Sequence, residues 1–267
     1  MHKVLARFIK RNQPIGRAFT RFPDDVMIIS YPRSGNTWLR FLLGYLRAGE
    51  GVTFATLEEV VPDIYLNSDR ALRAVPRPRI LKSHEPFDPT YPRVIYLIRD
   101  PRDVAISYYH YLVKTRDLDE SHPISDFIDS FIAGSLQGYG SWENHVRSWT
   151  TRRQTETDFF QIRYEDLLAD PFEGLRAMAK FVPLPDDGAR IRGAVASAEV
   201  SVMQRLERTT ASGWRTLSGS RPTGSFVRIG ERGTGVRELP PESIAAIESA
   251  WGDTMRSLGY SRPSIQP

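Results

Sequence analysis

The stretch VMIISYPRSGNTWLRFLLGYL, residues 26–46, changes character twice along its length. Val26 to Ile29 is a fully apolar run of the kind that forms a buried parallel strand. Tyr31 to Trp38 follows with turn residues (Pro32, Ser34, Gly35, Asn36) and with hydroxyl and amide side chains. From Trp38 an apolar pattern at helical spacing takes over, with Leu39, Leu42, Leu43 and Leu46 on one face. A strand, a tight loop and a helix in that order aim several backbone N–H groups out of the helix N-terminus, where the helix dipole is positive. The result is a cradle for a phosphate or a similar oxyanion, with Arg33 as a cation at its mouth. The GxxxxGK[ST] phosphate loop is not matched, because Asn36 follows Gly35, no Lys comes after it and the first Gly is missing. The bland alternative is an ordinary strand-to-helix turn that carries an Arg.

The rest of the chain fits an anion-binding α/β domain. At 267 residues with 40% hydrophobic and 11% aromatic content, it can bury a sizeable core. It has no Cys, which removes disulfides, thiolate metal sites and a thiol nucleophile. A balance of 36 basic against 32 acidic residues suits an anionic ligand but is too weak to argue for nucleic acid. No apolar run reaches the 18 residues or so of a membrane span. Residues 1–22 carry Lys3, Arg7, Lys10, Arg11, Arg17 and Arg21 without an acid. They lack the apolar core of a secretory signal. They read as a solvated or loosely packed basic helix, with weak contact to an anionic membrane surface as the other reading.

Further along, Val52 to Leu66 reads as a loop and short helix. RILKSHEPF, residues 79–87, begins as a brief strand and ends in a polar turn, which puts Lys82, Ser83 and His84 at a strand's carboxyl end, where open α/β sheets bind ligands. VIYLI, residues 94–98, is a second strand that runs into Arg99, Asp100 and Pro101. Asp100 as N-cap and Pro101 at the first helical position predict a helix through Ser107 to about Leu112. Residues 121–150 hold Phe127, Phe131, Trp142, Val146 and Trp149 at helical intervals, and FFQIR, residues 159–163, is another strand. Helices are expected after Pro171, over 189–207 and from Pro241 to Leu258. Residues 209–237 are expected to form a long loop that is mobile before ligand binds. The alternation predicts one doubly wound α/β domain, with a central parallel sheet of about five strands flanked by helices.

The chemistry centres on His84. An imidazole titrates near neutral pH and can take a proton from an acceptor hydroxyl, and Lys82 can offset charge on a leaving oxygen. Two residues apart on a strand, both can face one cleft. Arg99 and Ser107 suggest a second anion site, to which Arg228 and Gly230 in the late loop add a cation and a close backbone approach.

Taken together, five segments resemble those of the cytosolic-type sulfotransferases, in the same order. YPRSGNTW is similar to the family's 5′-phosphosulfate loop, LKSHEPF to its KTHLP element and residues 94–111 to its 3′-phosphate segment. RYEDLLADP resembles its YEDL element, and FVRIGERGTG its C-terminal RKGxxG segment. The resemblance implies a P-loop-kinase-like fold. It also implies transfer of the sulfuryl group of 3′-phosphoadenosine 5′-phosphosulfate (PAPS) to a hydroxyl or amine, leaving 3′-phosphoadenosine 5′-phosphate (PAP), with no metal required. His84 would be the base, and Lys82 and Arg33 would neutralise charge. Arg33, Ser34, Gly35, Asn36 and Thr37 would cradle the phosphosulfate, and Trp38 and Tyr164 would contact the adenine. Arg99, Ser107, Arg228 and Gly230 would hold the 3′-phosphate. The implied acceptor is a small molecule, lipid or glycan, and the implied location is cytoplasmic, with residues 23–267 forming the domain.

Three positions and one motif depart from the pattern. Arg33 and Ile229 each replace a Lys, Val200 stands where many members have a Phe, and the KxxxTVxxxE dimer motif is missing, with Arg237, Pro241, Glu242 and Ala246 at the matching positions. That leaves the oligomeric state open. The rival readings are a nucleotide kinase-like phosphotransferase and a non-catalytic PAP- or anion-binding protein. No segment carries a code for the acceptor; Tyr65, Phe87, Tyr111, Tyr139 and Trp142 are candidates for its pocket.

Overall fold

In a computed structural model, residues 16–153 and 156–260 can be described. Four apolar runs form the strands β1 (Val26–Ser30), β2 (Ile80–Ser83), β3 (Arg93–Ile98) and β4 (Phe159–Arg163). They pair in parallel in the order β2-β1-β3-β4, with Val26 opposite Ile80 and Arg93, and Val94 opposite Phe159. Successive strand residues point to opposite faces, and here both faces are buried. Met27, Ile29, Val94, Tyr96 and Ile98 enter one apolar cluster, while Val26, Ile28, Ile95 and Leu97 enter the other. This is why the central strands β1 and β3 read as nearly unbroken apolar runs, while the edge strand β4, FFQIR, is only half-buried.

Helices cover both faces, as a doubly wound sheet requires. On one side lie α1 (Asn36–Ala48), α8 (Pro171–Phe181) and α9 (Gly188–Ser197), which contribute Leu39, Leu42, Met178 and Ile191. On the other lie α4 (Pro101–Lys114), α5 (Ile124–Ile132), α6 (Trp142–Arg153) and α12 (Pro241–Ser257), which contribute Val104, Phe127, Trp149 and Trp251. The short helices α2 (Leu57–Val60), α3 (Asp69–Ala74) and α7 (Tyr164–Ala169), with α10 (Val200–Thr210) and α11 (Thr234–Glu238), complete the chain. In α1 the predicted stripe Leu39, Leu42, Leu43 and Leu46 is fully buried, each side chain contributing about 1.5–3 kcal/mol of transfer free energy. The Asp100 carboxylate accepts from the Arg102 N–H at 2.9 Å with Pro101 behind it, so α4 begins where its N-cap chemistry says it must.

β1 connects to its neighbour on one side and β3 to its neighbour on the other. The crevice between their carboxyl ends is therefore the topological switch point where such sheets bind ligands.

Several expectations change. Among the described residues the sheet has four strands, not five; on the outer edge of β2 a single parallel bridge joins Asp63 to Lys82. The Pro62 carbonyl accepts from the Lys82 N–H at 2.8 Å and the Lys82 carbonyl from the Ile64 N–H at 3.1 Å, and Pro62, with no N–H to give, cannot extend the pairing. The helix expected over 189–207 is two, α9 and α10. Glu199 adopts an extended conformation, and the Ala198 carbonyl accepts from the Trp38 indole at 3.1 Å. Residues 209–237 contain two 3-10 turns, Ala211–Gly213 and Arg215–Leu217, as well as α11. Of the basic segment expected to be helical, residues 1–15 lie outside the described residues. Residues 16–22 are not helical, because Arg17 donates to the Tyr65 and Asn67 carbonyls and Arg21 pairs with Asp88 at 3.0 Å, which ties this stretch to the domain.

Candidate active site

A cavity of about 750 Å³ opens at the carboxyl end of the sheet. It is lined by Arg33, Gly35, Asn36, Thr37, Trp38, Lys82, His84, Arg99, Ser107, Tyr164, Arg228 and Gly230. All the candidate site residues except Ser34 therefore meet in one place. Ser34 lies in the same loop, buried, and its hydroxyl has no partner. Of the acceptor candidates, Tyr65, Tyr111 and Tyr139 line the cavity. Phe87 and Trp142 do not: Phe87 packs edge-on against Trp149, and the Trp142 indole donates to the Arg99 carbonyl. Both are absorbed by the aromatic core.

The cradle needs Gly35. Its φ of 100° is left-handed, and a Cβ there would come within 2.5 Å of the Tyr164 ring. The first N–H groups of α1 have no intrahelical acceptor and no side-chain cap. Next to them the Ser34 Oγ, the Asn36 Oδ1 and, across the crevice, the Arg99 Nε are buried without partners. Buried polar atoms are almost always bonded; the Ser34 hydroxyl and the Arg99 Nε–H are donors that fit an anionic ligand such as PAPS, whereas the Asn36 Oδ1 only accepts and is not met by an oxyanion. Trp38 and Tyr164 stand edge to face at 5.5 Å, and the Arg99 guanidinium lies 4.2 Å from the Tyr164 ring centre. Burial pushes the Arg33 guanidinium down to about 10, still charged at neutral pH.

The late loop closes onto α4. The Asp103 carboxylate accepts from the Gly233 and Gly235 N–H groups at 2.8 and 2.7 Å. A Cβ on Gly235 would come within 2.3 Å of the Arg102 backbone. Gly230, with a φ of 68°, leaves no room for a Cβ, which would come within 2.4 Å of the Val200 side chain. Arg228 reaches the cavity while paired with Glu238 at 2.7 Å, and Ile229 is exposed.

His84 is held as a neutral imidazole. Its Nδ1 lies 2.7 Å from the Ser30 carbonyl, an acceptor only, so Nδ1 carries the proton and Nε2 keeps its lone pair. Burial, with the Lys82 charge beside it, holds the imidazole well below its ordinary range. Lys82 is paired with Asp63 at 2.8 Å; burial lowers the ammonium and Asp63 opposes that shift.

Three supporting residues have no signature in the sequence. Asp63 lies 19 positions from its partner. His145 donates from Nε2 to the His84 carbonyl at 3.1 Å while its Nδ1 accepts from the Tyr96 hydroxyl at 2.9 Å; burial pushes it down to about 4. Trp149 donates to the Glu85 carbonyl at 3.0 Å. Trp142, Val146 and Trp149 at helical spacing mark the helix, but nothing local says that α6 grips the backbone at His84 and Glu85. Among the described residues, no three His, Asp or Glu side chains converge as a metal-binding group, and no helix is long and apolar enough to cross a membrane.

The sulfotransferase domain family matches residues 23–259. Sulfotransferase 1B1 of Mus musculus is 32% identical over 186 residues, covering 61% of this chain and 60% of that protein. Sulfotransferase 2B1 of Mus musculus is 26% identical over 254 residues, covering 88% and 72%. The chain thus spans about 60% of the length of the first of these relatives. Among solved structures, mouse sulfotransferase SULT7A1 complexed with PAP shares the fold at a TM-score of 0.70 and 21% identity, covering 94% of this chain and 89% of that one. Retinol dehydratase in complex with retinol and PAP does so at 0.73 and 18%, covering 96% and 88%. With its switch-point cradle, its Lys82–His84 pair and a domain match across nearly all of its length, this chain belongs to the sulfotransferase domain family.

Proposed function

We propose that this protein is a PAPS-dependent sulfotransferase. The carrying observation is that a neutral imidazole with its Nε2 lone pair free and an anion cradle with unmet donors line the same cavity. PAPS would supply an activated sulfuryl group and leave as PAP. The chain's own residues account for the rest. His84 Nε2 takes the proton from the acceptor hydroxyl or amine, for which its lowered basicity keeps it ready at neutral pH. Lys82 and Arg33 stabilise the negative charge that builds on the departing side. The N–H groups of α1, with Arg33, Ser34, Gly35, Asn36 and Thr37, hold the phosphosulfate. Trp38 and Tyr164 receive the adenine. Arg99, Ser107, Arg228 and Gly230 hold the 3′-phosphate, the group that separates PAPS from ATP.

The acceptor binds beside Tyr65, Tyr111 and Tyr139. A neighbour of the same fold was solved with retinol, which supports a small hydroxylated molecule; lipid and glycan acceptors and a cytoplasmic site of action belong to the same proposal. Calorimetric titration with PAP, AMP and ATP tests it. Micromolar or tighter binding of PAP alone is expected, followed by label transfer from PAPS in an acceptor screen. Equal binding of ATP, or no binding, overturns the assignment of Arg99, Ser107 and Arg228.

A further inference from the structure

Arg33 departs from the family's usual Lys, and its surroundings suit an Arg. Its Cζ lies 4.6 Å from the Tyr111 ring centre and 4.5 Å from that of Phe226. The two rings are 6.2 Å apart and inclined at 75°, so they meet the guanidinium as two walls of a corner. The Arg33 Nε–H reaches the Ser107 hydroxyl at 3.4 Å. No carboxylate among the described residues pairs with Arg33, and its terminal N–H groups find no acceptor there. An ammonium has no plane for such a corner to orient; a guanidinium does, and it keeps a free two-pronged edge.

The two walls have different origins. Tyr111 stands on α4, whereas Phe226 comes from the late loop and is delivered by charged groups on the body of the domain. The Glu207 carboxylate accepts from the Phe226 and Val227 N–H groups at 2.7 and 2.9 Å. Lys114 donates to the Arg221 and Gly224 carbonyls, both at 2.7 Å. Trp214 backs Phe226 edge to face at 5.2 Å.

We propose that Tyr111 and Phe226 are positioning residues that hold Arg33 as a fixed oxyanion fork, and that Glu207 and Lys114 bring Phe226 to it. The proposal rests on the cavity binding PAP. Its consequence is that the late loop, which already approaches the cavity through Arg228 and Gly230, also completes the phosphosulfate end from the opposite direction.

The test compares two ligands by calorimetry on the full chain: PAP, and adenosine 3′-monophosphate, which lacks the 5′-phosphate. Phe226→Leu is expected to weaken PAP about tenfold, the size of a partly desolvated cation–π contact, and to leave adenosine 3′-monophosphate unchanged. Phe226→Tyr, which keeps a ring, is expected to bind PAP as the parent does. In an Arg33→Met background, Phe226→Leu is expected to have no further effect on PAP. Tyr111→Leu, which removes the other wall, repeats the pattern independently of the loop. Equal losses for both ligands, or additive losses with Arg33→Met, overturn the proposal while PAP binding by the parent stands. A parent that binds no PAP overturns the donor assignment and this proposal together.

Discussion

Two basic side chains line the same cavity and are held in opposite ways. Lys82, at the end of β2, sits 2.8 Å from Asp63, both nearly buried, so the pair brings no net charge into the cavity. Arg33, in the loop after β1, has aromatic rings where Lys82 has a carboxylate. The contrast extends to their neighbourhoods. Around His84 every group but the Nε2 lone pair is paired: Nδ1 with Ser30, its carbonyl with His145, its N–H with the Tyr65 hydroxyl. Near Arg33 the Ser34 hydroxyl is buried without a partner, as is the Arg99 Nε–H across the crevice. Leaving polar groups unpaired costs about 1–3 kcal/mol each, so a fold that saturates one side of a cavity and not the other marks where a ligand's polar atoms belong. Under the proposed function, the saturated side is the one preorganised for chemistry and the unsaturated side the one for binding.

The largest expected effect separates those two roles. His84→Ala should lower turnover by about 10²–10⁴-fold with the acceptor found in the PAPS screen, and leave PAP affinity unchanged in calorimetry. A parallel loss of PAP affinity would merge the two sides. Next, Lys82→Met leaves Asp63 buried and uncompensated and should cost about 3–5 kcal/mol in urea unfolding, most of it recovered by adding Asp63→Leu. Arg33→Met strands no carboxylate and should cost about 1–2 kcal/mol at most. Equal costs would erase the distinction between paired and unpaired cations.

Acid should attack the saturated side first. His145, with a pKa pushed down to about 4, and His84, also lowered, are neutral in the fold and take up protons near their ordinary value once unfolded. Between about 6.5 and 4 the unfolded chain therefore binds more protons, and stability falls as pH drops through that window. Urea midpoints at the two ends of the window measure it, and His145→Gln should flatten the dependence. The smallest effect concerns the Arg33 backbone, whose φ of 69° is left-handed. Arg33→Gly should be more stable than Arg33→Ala by about 1–2 kcal/mol; no difference would mean that the loop relaxes when the side chain is removed.

Much of the binding side was legible in the sequence and little of the support around it. The turn at Gly35, the N-cap at Asp100 and the strand end carrying Lys82 and His84 announce themselves because each depends on residues within a few positions of one another. The split between α9 and α10 was missed because it depends on Glu199 and on a carbonyl turned toward Trp38, which is 160 positions away. Phe87 and Trp142, candidates for the pocket by residue type, lie in the core, because aromatic content cannot tell a pocket wall from a core that stacks Trp149 on Tyr91 and Tyr96.

By itself, then, the amino-acid order determined the alternation of strand and helix, the tight loop of the candidate cradle and the residue types of the proposed base and its cations. Local periodicity, caps and turn chemistry are sufficient for these. Only the tertiary structure decided that Asp63 neutralises Lys82, that His145 grips His84 across 61 positions, and that Asp103 gathers Gly233 and Gly235 from more than 100 residues away. It alone put Phe226 against Arg33. These pairings arise where helices and loops from distant parts of the chain pack over the same sheet edge, and no local pattern encodes which distant partner will arrive there.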